Sequence, residues 1–479
     1  MADDSTPLTR RELRAQREHE ERQLTERAPV SRRRREPAAA AGAGRRSLGP
    51  AWLLTPVGLG GLWLGTHLLA AAIPFLRFGT SPDRWNGLVV GGVYNQFSGV
   101  SQLARLPAER VLPELPPLSL RLLQGLYAVT GDDRGRFLLV IVLVAVIADL
   151  VILITLWRAA TAGPVAAAYW ALAVPLLGPV ALARLDLVVV ALVVLAWVMA
   201  PRRPLWAGVL LAVATGLGFW PAAVVLPLLA LVRRDRRRAA LTGYAVAGLV
   251  LAAASVLGGG WGRVGSPVTR ALSRGLSLES FPGLPALVDM ALSPGRHSAS
   301  LAGADMVVRG PWVDALSTGS AAAALVAVGA AITLGILVLR RPGPESVSGG
   351  ALLVGRSERH ASAHAAVAPV LVAAAGLLAL LVTARTLCPE ALGWVLPFLA
   401  LRAALRPGRG PWLALGVVLL TQLANPYLFQ NLAYPSASAF DVAAVAIGLR
   451  NLALVAVALW CLLAAVRELR SSAGVPAGK

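Results

Sequence analysis

Acidic residues, lysine, cysteine and histidine are all scarce in this chain of 479 residues, and each shortage removes a class of explanation. Only 15% of the residues are charged while 56% are hydrophobic, too little polar surface to clothe a soluble protein of this length. The two cysteines, Cys388 and Cys461, sit at or in apolar segments far apart, which argues against a disulfide framework. Five histidines show no spacing with cysteine that suits a metal, so no metal site is expected. Lys479 is the single lysine, and the net charge of +20 is almost wholly arginine. Those arginines cluster where apolar runs end: Arg202 and Arg203, Arg233 to Arg238, Arg340 and Arg341, Arg402 to Arg409, Arg467 and Arg470. Basic groups spread along membrane edges instead of one face mark the cytoplasmic ends of spans and exclude nucleic acid as a partner.

What is present is a succession of apolar runs near the length that crosses hydrocarbon. Residues 1–50 precede them as a basic tail in which 9–26 has the charge pattern of a solvated helix and the remainder reads as disordered. The run at 51–76 is long enough to span, so it reads as a first transmembrane helix with its N-terminus cytoplasmic, not as a signal peptide. Counting parity from the arginine-rich ends gives further segments at 137–157, 164–182, 185–200, 240–258, 320–339, 366–386, 389–401, 411–427 and 451–466. An interfacial helix is expected at 436–448, and 467–479 forms a short cytoplasmic tail. The stretch 205–232 carries arginines at both ends, so it must enter and leave on one side. Each arm then reaches only about 20 Å, and the break falls at TGLGFWP. Long loops at 77–135 and 259–318 share the non-cytoplasmic face, and loops of that length usually carry function. No internal repeat supports an inverted-repeat transporter, and paired acids deep in the helices, which transport would favour, are few.

Polar groups inside apolar runs are the other signal, because hydrocarbon makes them costly. Arg184 and Asp186, in LARLDLVV, read equally well as a site or as the wet boundary of a helical hairpin. Asp149 lies deeper, as a structural hydrogen-bonding group, and His67 reads as a satisfied packing histidine. Glu390 is explained by the start of a helix beside Arg385.

Five pieces stand in a telling order: VYNQF…LP…LPPL in the first loop, RLDL at 184–187, RGLSLES at 274–280, TLCPEALGWVLPF at 386–398 and GLRNLAL at 448–454. In order and spacing they resemble the GT-C superfamily of membrane glycosyltransferases, most closely its actinobacterial polyprenyl-phosphate-mannose-dependent mannosyltransferases. The resemblance covers residues 51–466. It implies an all-α, polytopic transmembrane bundle with roughly ten to twelve membrane-embedded helices. It also implies transfer of a sugar, mannose being the first candidate, from a polyprenyl-phosphate donor to a lipid or glycan acceptor of the cell envelope, with membrane lipids around it and no cofactor. The chain departs from the family at several points. Val90 stands where the family carries its aspartate, Arg110 near its second acid, Leu115 in its Tyr-Pro-Pro, Gly218 for a lysine, and Cys388-Pro389-Glu390-Ala391 for Ser-Pro-Gln-Tyr.

Sugar transfer from a lipid phosphate needs cations for the departing phosphate and a base for the acceptor hydroxyl. Arg184 and Arg274 are the expected phosphate ligands, since guanidinium pairs with phosphate in a bidentate fashion. Asp83 is the expected base, with Glu109 and then Glu114 behind it. Tyr94, Asp186 and Glu279 are expected to line the cavity. A catalytically silent relative serving as a scaffold in envelope assembly is the alternative, and a lipid or sugar transporter the third reading.

The topology is testable directly. Cysteines introduced at Ser298 and Ser346 should label from opposite sides of a sealed membrane, Ser298 from outside. Labelling of Ser346 from outside, with Ser298 protected, would overturn the orientation.

Overall fold

The computed structural model describes residues 55–78, 91–159, 163–302, 305–341, 359–406, 408–424, 428, 431–432 and 438–471. The tail at 1–50 and Asp83 lie outside the described residues. Apart from one two-stranded hairpin, the described chain is helical, and the architecture is an all-α polytopic bundle. Five helices are long and apolar enough to cross a membrane, and several shorter apolar ones pack among them.

The first helix, α1 (Pro56–Phe78), is followed by two helices of the first loop, α2 (Gly91–Ser101) and α3 (Pro117–Thr130). Next comes α4 (Arg134–Arg158), opened by Asp133, whose side chain accepts from the Arg136 backbone N–H at 3.0 Å. Along α4, Leu139, Leu143 and Ile147 are exposed while Ile141, Ala145 and Ile152 are buried. That four-residue spacing separates a lipid-facing stripe from a protein-facing one, because both solvents of this helix are apolar. The core lies on α5 (Gly163–Leu177) and α6 (Asp186–Met199), where alanine and valine bring backbones close and Trp197 meets Phe398 edge-on at 5.0 Å.

Asp149 is wholly buried in this core, and its neighbours account for it. The indole N–H groups of Trp63 and Trp170 both donate to its carboxylate, the latter at 2.7 Å, and His67 Nε2 stands 3.1 Å away. His67 is thus a buried, satisfied packing histidine, as expected; with Trp63 it ties α1 to α4, while Trp170 ties α5 to the same carboxylate.

The stretch at 205–232 breaks where its glycines and proline fall. It forms α7 (Pro204–Gly218), a turn at Phe219 with φ 54°, a 3-10 segment at Trp220–Val224, and α8 (Val225–Ala230). The chain then returns to the arginine cluster that opens α9 (Arg237–Ser273), where Arg237 Nε donates to the Val232 carbonyl at 3.2 Å. Both ends of the stretch thus meet the start of α9, against which α7 packs through Gly208 and Gly243.

Two boundaries differ from expectation. The first helical stretch of α9 ends at the glycines as expected, but the chain beyond Gly260, whose φ of 72° and ψ of 173° are not helical, forms a second helical stretch to Ser273 where loop was expected. A single glycine in a conformation closed to other residues separates the two stretches and redirects the axis between them. After α10 (Leu284–Leu292), strands β1 (Ser298–Ala302) and β2 (Asp305–Arg309), α11 (Val313–Arg340), α12 (Arg359–Thr383), α13 (Leu396–Leu405) and α14 (Gly410–Ala424), the last helix α15 runs unbroken from Ser438 to Ser471. The separate interfacial helix expected at 436–448 is its first part. Arg450 and Asn451 look like a polar interruption in sequence, but inside the protein they donate to the carbonyls of Glu279 and Ser280.

At one end of the bundle the arginine clusters converge. Arg234 donates to the carbonyls of Arg340 and Arg341, Arg341 to that of Glu468, and Arg406 pairs with the Glu468 carboxylate. A methyl group on Gly208 would overlap the Ala240 carbonyl oxygen, and one on Gly243 the Leu205 carbonyl oxygen, whereas Gly248 faces open space. Gly208→Ala and Gly243→Ala should each cost about 1–3 kcal/mol and lower the melting temperature in detergent. Gly248→Ala should leave it unchanged or raise it.

Candidate functional site

At the end opposite the arginine clusters, α2, α9, α11 and the loops beside them enclose a polar cavity of about 870 Å³. Five arginines line it: Arg184, Arg270, Arg274, Arg309 and Arg385. Glu114, Asp305 and Asp314 are its carboxylates, and Gln96 and Cys388 also reach it.

Local structure explains how these groups arrive. Arg184 follows a helical turn at Pro179–Leu182 and precedes α6, so it leaves the membrane helices at a tight corner. Its guanidinium lies against Gly92 of α2, where a Cβ would stand 2.8 Å from Nη2, and its Nη1 is 3.0 Å from Glu390 Oε1. Glu390 is almost fully buried, and its charge holds Arg184 above its ordinary value. Glu390 lies in the first turn of the 3-10 segment at Pro389–Trp394, at a helix start as expected, and pairs in addition with Arg184, while Arg385 donates to the carbonyls of Ser317 at 3.1 Å and Leu272 at 2.6 Å. Arg274 ends α9 and is followed by Leu276 and Leu278, which sink into a small apolar core. Backbone bonds of 2.9 Å from Leu278 N–H to the Met306 carbonyl and from Val308 N–H to the Leu276 carbonyl pin this segment to β2. The pairing brings Arg274 Nη1 to 3.9 Å from Asp305 Oδ2. Burial pushes the Asp305 carboxyl up, with Glu390 adding to the effect and Arg274 and Arg184 opposing it. Burial also pushes the Cys388 thiol well above its ordinary value, which keeps it a neutral group in the wall.

Gln96 is the least satisfied member. It is nine-tenths buried, and its Oε1 has no hydrogen-bond partner among the described residues. Such an amide in a polar cavity is suited to a ligand hydroxyl. Glu114 makes no ion pair among the described residues. Its loop is clamped by Arg263, whose Nη groups donate to the carbonyls of Leu112 at 3.2 Å and Leu115 at 2.9 Å.

The structure brings some of the expected site residues together and separates others. Arg184 and Arg274 share the cavity. Asp186 lies just behind it, its Oδ1 accepting from the Trp394 indole at 3.0 Å, and Trp394 stacks on Trp220 at 5.3 Å. Tyr94 packs with the apolar cluster around Phe97 and Phe137, away from the cavity lining. Glu279 is buried and is not among the residues lining the cavity, and its backbone carbonyl accepts from Arg450. Glu109 is exposed on the outer side of α9, with Oε2 2.6 Å from where a Cβ on Gly262 would stand. Sequence reasoning missed Asp305, Gln96, Arg270, Arg309 and Arg385. Arg385 alone had a readable signal, since it stands between an apolar run and TLCPEALGW.

Beside the cavity runs an apolar groove of about 670 Å³ along α10, α11 and the end of α12, with Phe281, Leu284, Val288, Leu316 and Val382 in its walls. Asp314 and Ser317 of α11 face the polar cavity while Ala315, Leu316 and Gly319 of the same turns face the groove. A charged compartment and an apolar trough thus share one helix as a partition.

No protein-family model matches the chain, and no curated protein sequence matches it.

Replacing Arg184 with alanine should destabilise the protein by about 3 kcal/mol, because Glu390 would keep a buried charge without its counterion. Adding Glu390→Gln to that variant should recover most of the loss in a thermal melt. No recovery would mean the arginine acts through other contacts.

Proposed function

We propose that the protein is a membrane-embedded transferase that moves a sugar, mannose being the first candidate, from a polyprenyl-phosphate donor to a cell-envelope acceptor. The observation that carries this reading is the five-arginine cavity partitioned by one helix from an apolar groove. A lipid phosphate is amphiphilic in just this manner, with an anionic head for guanidinium groups and a chain that must stay out of water. The convergence of arginines at the other end of the bundle supports a cytoplasmic location for that end and both termini, with the cavity outside. Two of the segments that resemble GT-C enzymes also meet, since Arg450 and Asn451 hold the loop at Glu279 and Ser280.

In this reading Arg274 and Arg184 hold the donor phosphate. Asp305 serves as base, because it stands in the same wall as Arg274 and a hydroxyl held there reaches a sugar hanging from the phosphate. The acceptor O–H gives its proton to the Asp305 carboxylate as its oxygen bonds to the anomeric carbon. The bond from that carbon to the phosphate oxygen breaks, and the phosphate leaves with the electron pair toward the arginines. Glu114 is the second carboxylate in reach. Asp83 lies outside the described residues, and Glu109 faces away from the cavity, so neither leads. The silent-scaffold reading draws on one observation: Arg184 and Arg274 already have carboxylate partners.

Purified protein in nanodiscs, given radiolabelled polyprenyl-phosphate mannose and envelope lipid acceptors, tests the proposal. Arg274→Ala should lower transfer about 100-fold. The base must be ionised and burial raises its pKa, so the wild-type rate should fall as pH drops, starting above the range of an exposed carboxylate. Asp305→Asn should lose most activity and that acid limb together. Full activity in Asp305→Asn would remove it from the mechanism; donor binding without transfer, across several donors, would favour the scaffold.

A further inference from the structure

On the flank of the bundle, α3 and α9 enclose a cleft of about 210 Å³ that the proposed reaction does not use. The face of α9 beside it is bare of protein: Leu249, Leu257 and Trp261 are 72%, 89% and 78% exposed. On a helix of this hydropathy such a face meets lipid, with the indole placed where a membrane interface would hold it. The cleft is therefore open to the bilayer, and its lining changes character along the helix. Leu251 and Ala254 of α9, with Leu118 and Leu120, make its apolar part.

One turn further along stands Arg121. Its Nη1 donates to Gln124 Oε1 at 2.9 Å and its Nη2 to the Gly258 carbonyl at 2.6 Å, which fixes the guanidinium and leaves three N–H groups for other acceptors. Gly258 is needed for this approach, since a Cβ there would stand 2.9 Å from Nη2. Arg263 adds a second donor: it is 2% exposed, and its Nε lacks a partner among the described residues. Glu109 comes next, its carboxylate lying against Gly262 and making no ion pair among the described residues. Gly258 and Gly262 stand on either side of the break at Gly260.

Apolar wall, cation and anion thus follow one another along α9 and across its break at Gly260. That order is the order of acyl chain, phosphate and ammonium in a zwitterionic phospholipid. We propose that this cleft is a binding site for one phospholipid with a primary ammonium headgroup, of the phosphatidylethanolamine class. The phosphate takes Arg121 and the free Nε–H of Arg263, and the ammonium takes Glu109. An anionic headgroup without an ammonium would gain the same arginines but meet the Glu109 carboxylate, so the pair of charges selects against phosphatidylglycerol. The inference stands apart from the transferase reading, for it uses neither the polar cavity nor its groove.

The test is native mass spectrometry of the delipidated full chain titrated with phosphatidylethanolamine or phosphatidylglycerol of matched chains, paired with thermal shift. Wild type should retain phosphatidylethanolamine about tenfold better than phosphatidylglycerol and melt higher with it. Glu109→Gln, an exposed change that the fold tolerates, should erase that preference by weakening the first lipid and strengthening the second. Arg121→Ala should weaken both. Equal retention of the two lipids by wild type, or an unchanged preference in Glu109→Gln, would overturn the proposal. So would Arg121→Ala binding both lipids as wild type does.

Discussion

Hydrocarbon offers no partner to a peptide group, and that single constraint governs where this chain can depart from helix. Among the described residues, three departures from helix inside the bundle lie against other protein. The turn at Phe219 leads into Trp220, which is buried and stacked on Trp394. The corner at Gly178 (φ 78°) sits next to the Gln422 side chain. The 3-10 segment at Pro389–Trp394 is buried along most of its length. Glu390 belongs to the third of these pieces and pairs with Arg184, and Trp394 of the same piece stacks on Trp220 of the first. The polar site is therefore placed where the helices are broken, since broken backbone and a buried ion pair require the same shelter.

The fold was largely legible because lipid imposes a simple grammar on sequence: apolar runs, arginine at their ends, glycine and proline at breaks. The break in the stretch from 205 to 232 could be read from its charged ends and its glycines and proline. Helix ends were harder. A run of glycines at 258–260 and a polar pair at Arg450-Asn451 look alike as interruptions. One proves to be a break between two helical stretches and the other a buried contact with a loop far away in the chain. Sequence spacing holds no record of such a partner.

The site was less legible for the same reason. Arg184 and Arg274 stood out because each sits beside an apolar run with few competing charges. Asp305 carried no such signal. It gains its place from a hairpin whose pairing with Leu276 and Leu278 is a tertiary fact, and its neighbours are ordinary loop residues. Tyr94 and Glu279 looked polar and loop-borne but were drawn inward, Tyr94 by the aromatic cluster at Phe97 and Glu279 by Arg450. A polar residue in a long loop can serve the loop's own packing as readily as a ligand.

The Asp149 cluster bears on how the chain enters the membrane. Its carboxylate has partners both behind and ahead of it in translation order: Trp63 and His67 emerge before it, Trp170 after it. A charged group released alone into hydrocarbon costs at least about 2.5 kcal/mol. Helix α4 therefore gains by meeting α1 before it leaves the insertion machinery, and α5 completes the coordination when it follows. The first helix, otherwise largely bare on its lipid side, acts as a waiting receptor for the second span made. Folding order is thus written into the position of one aspartate between two indoles.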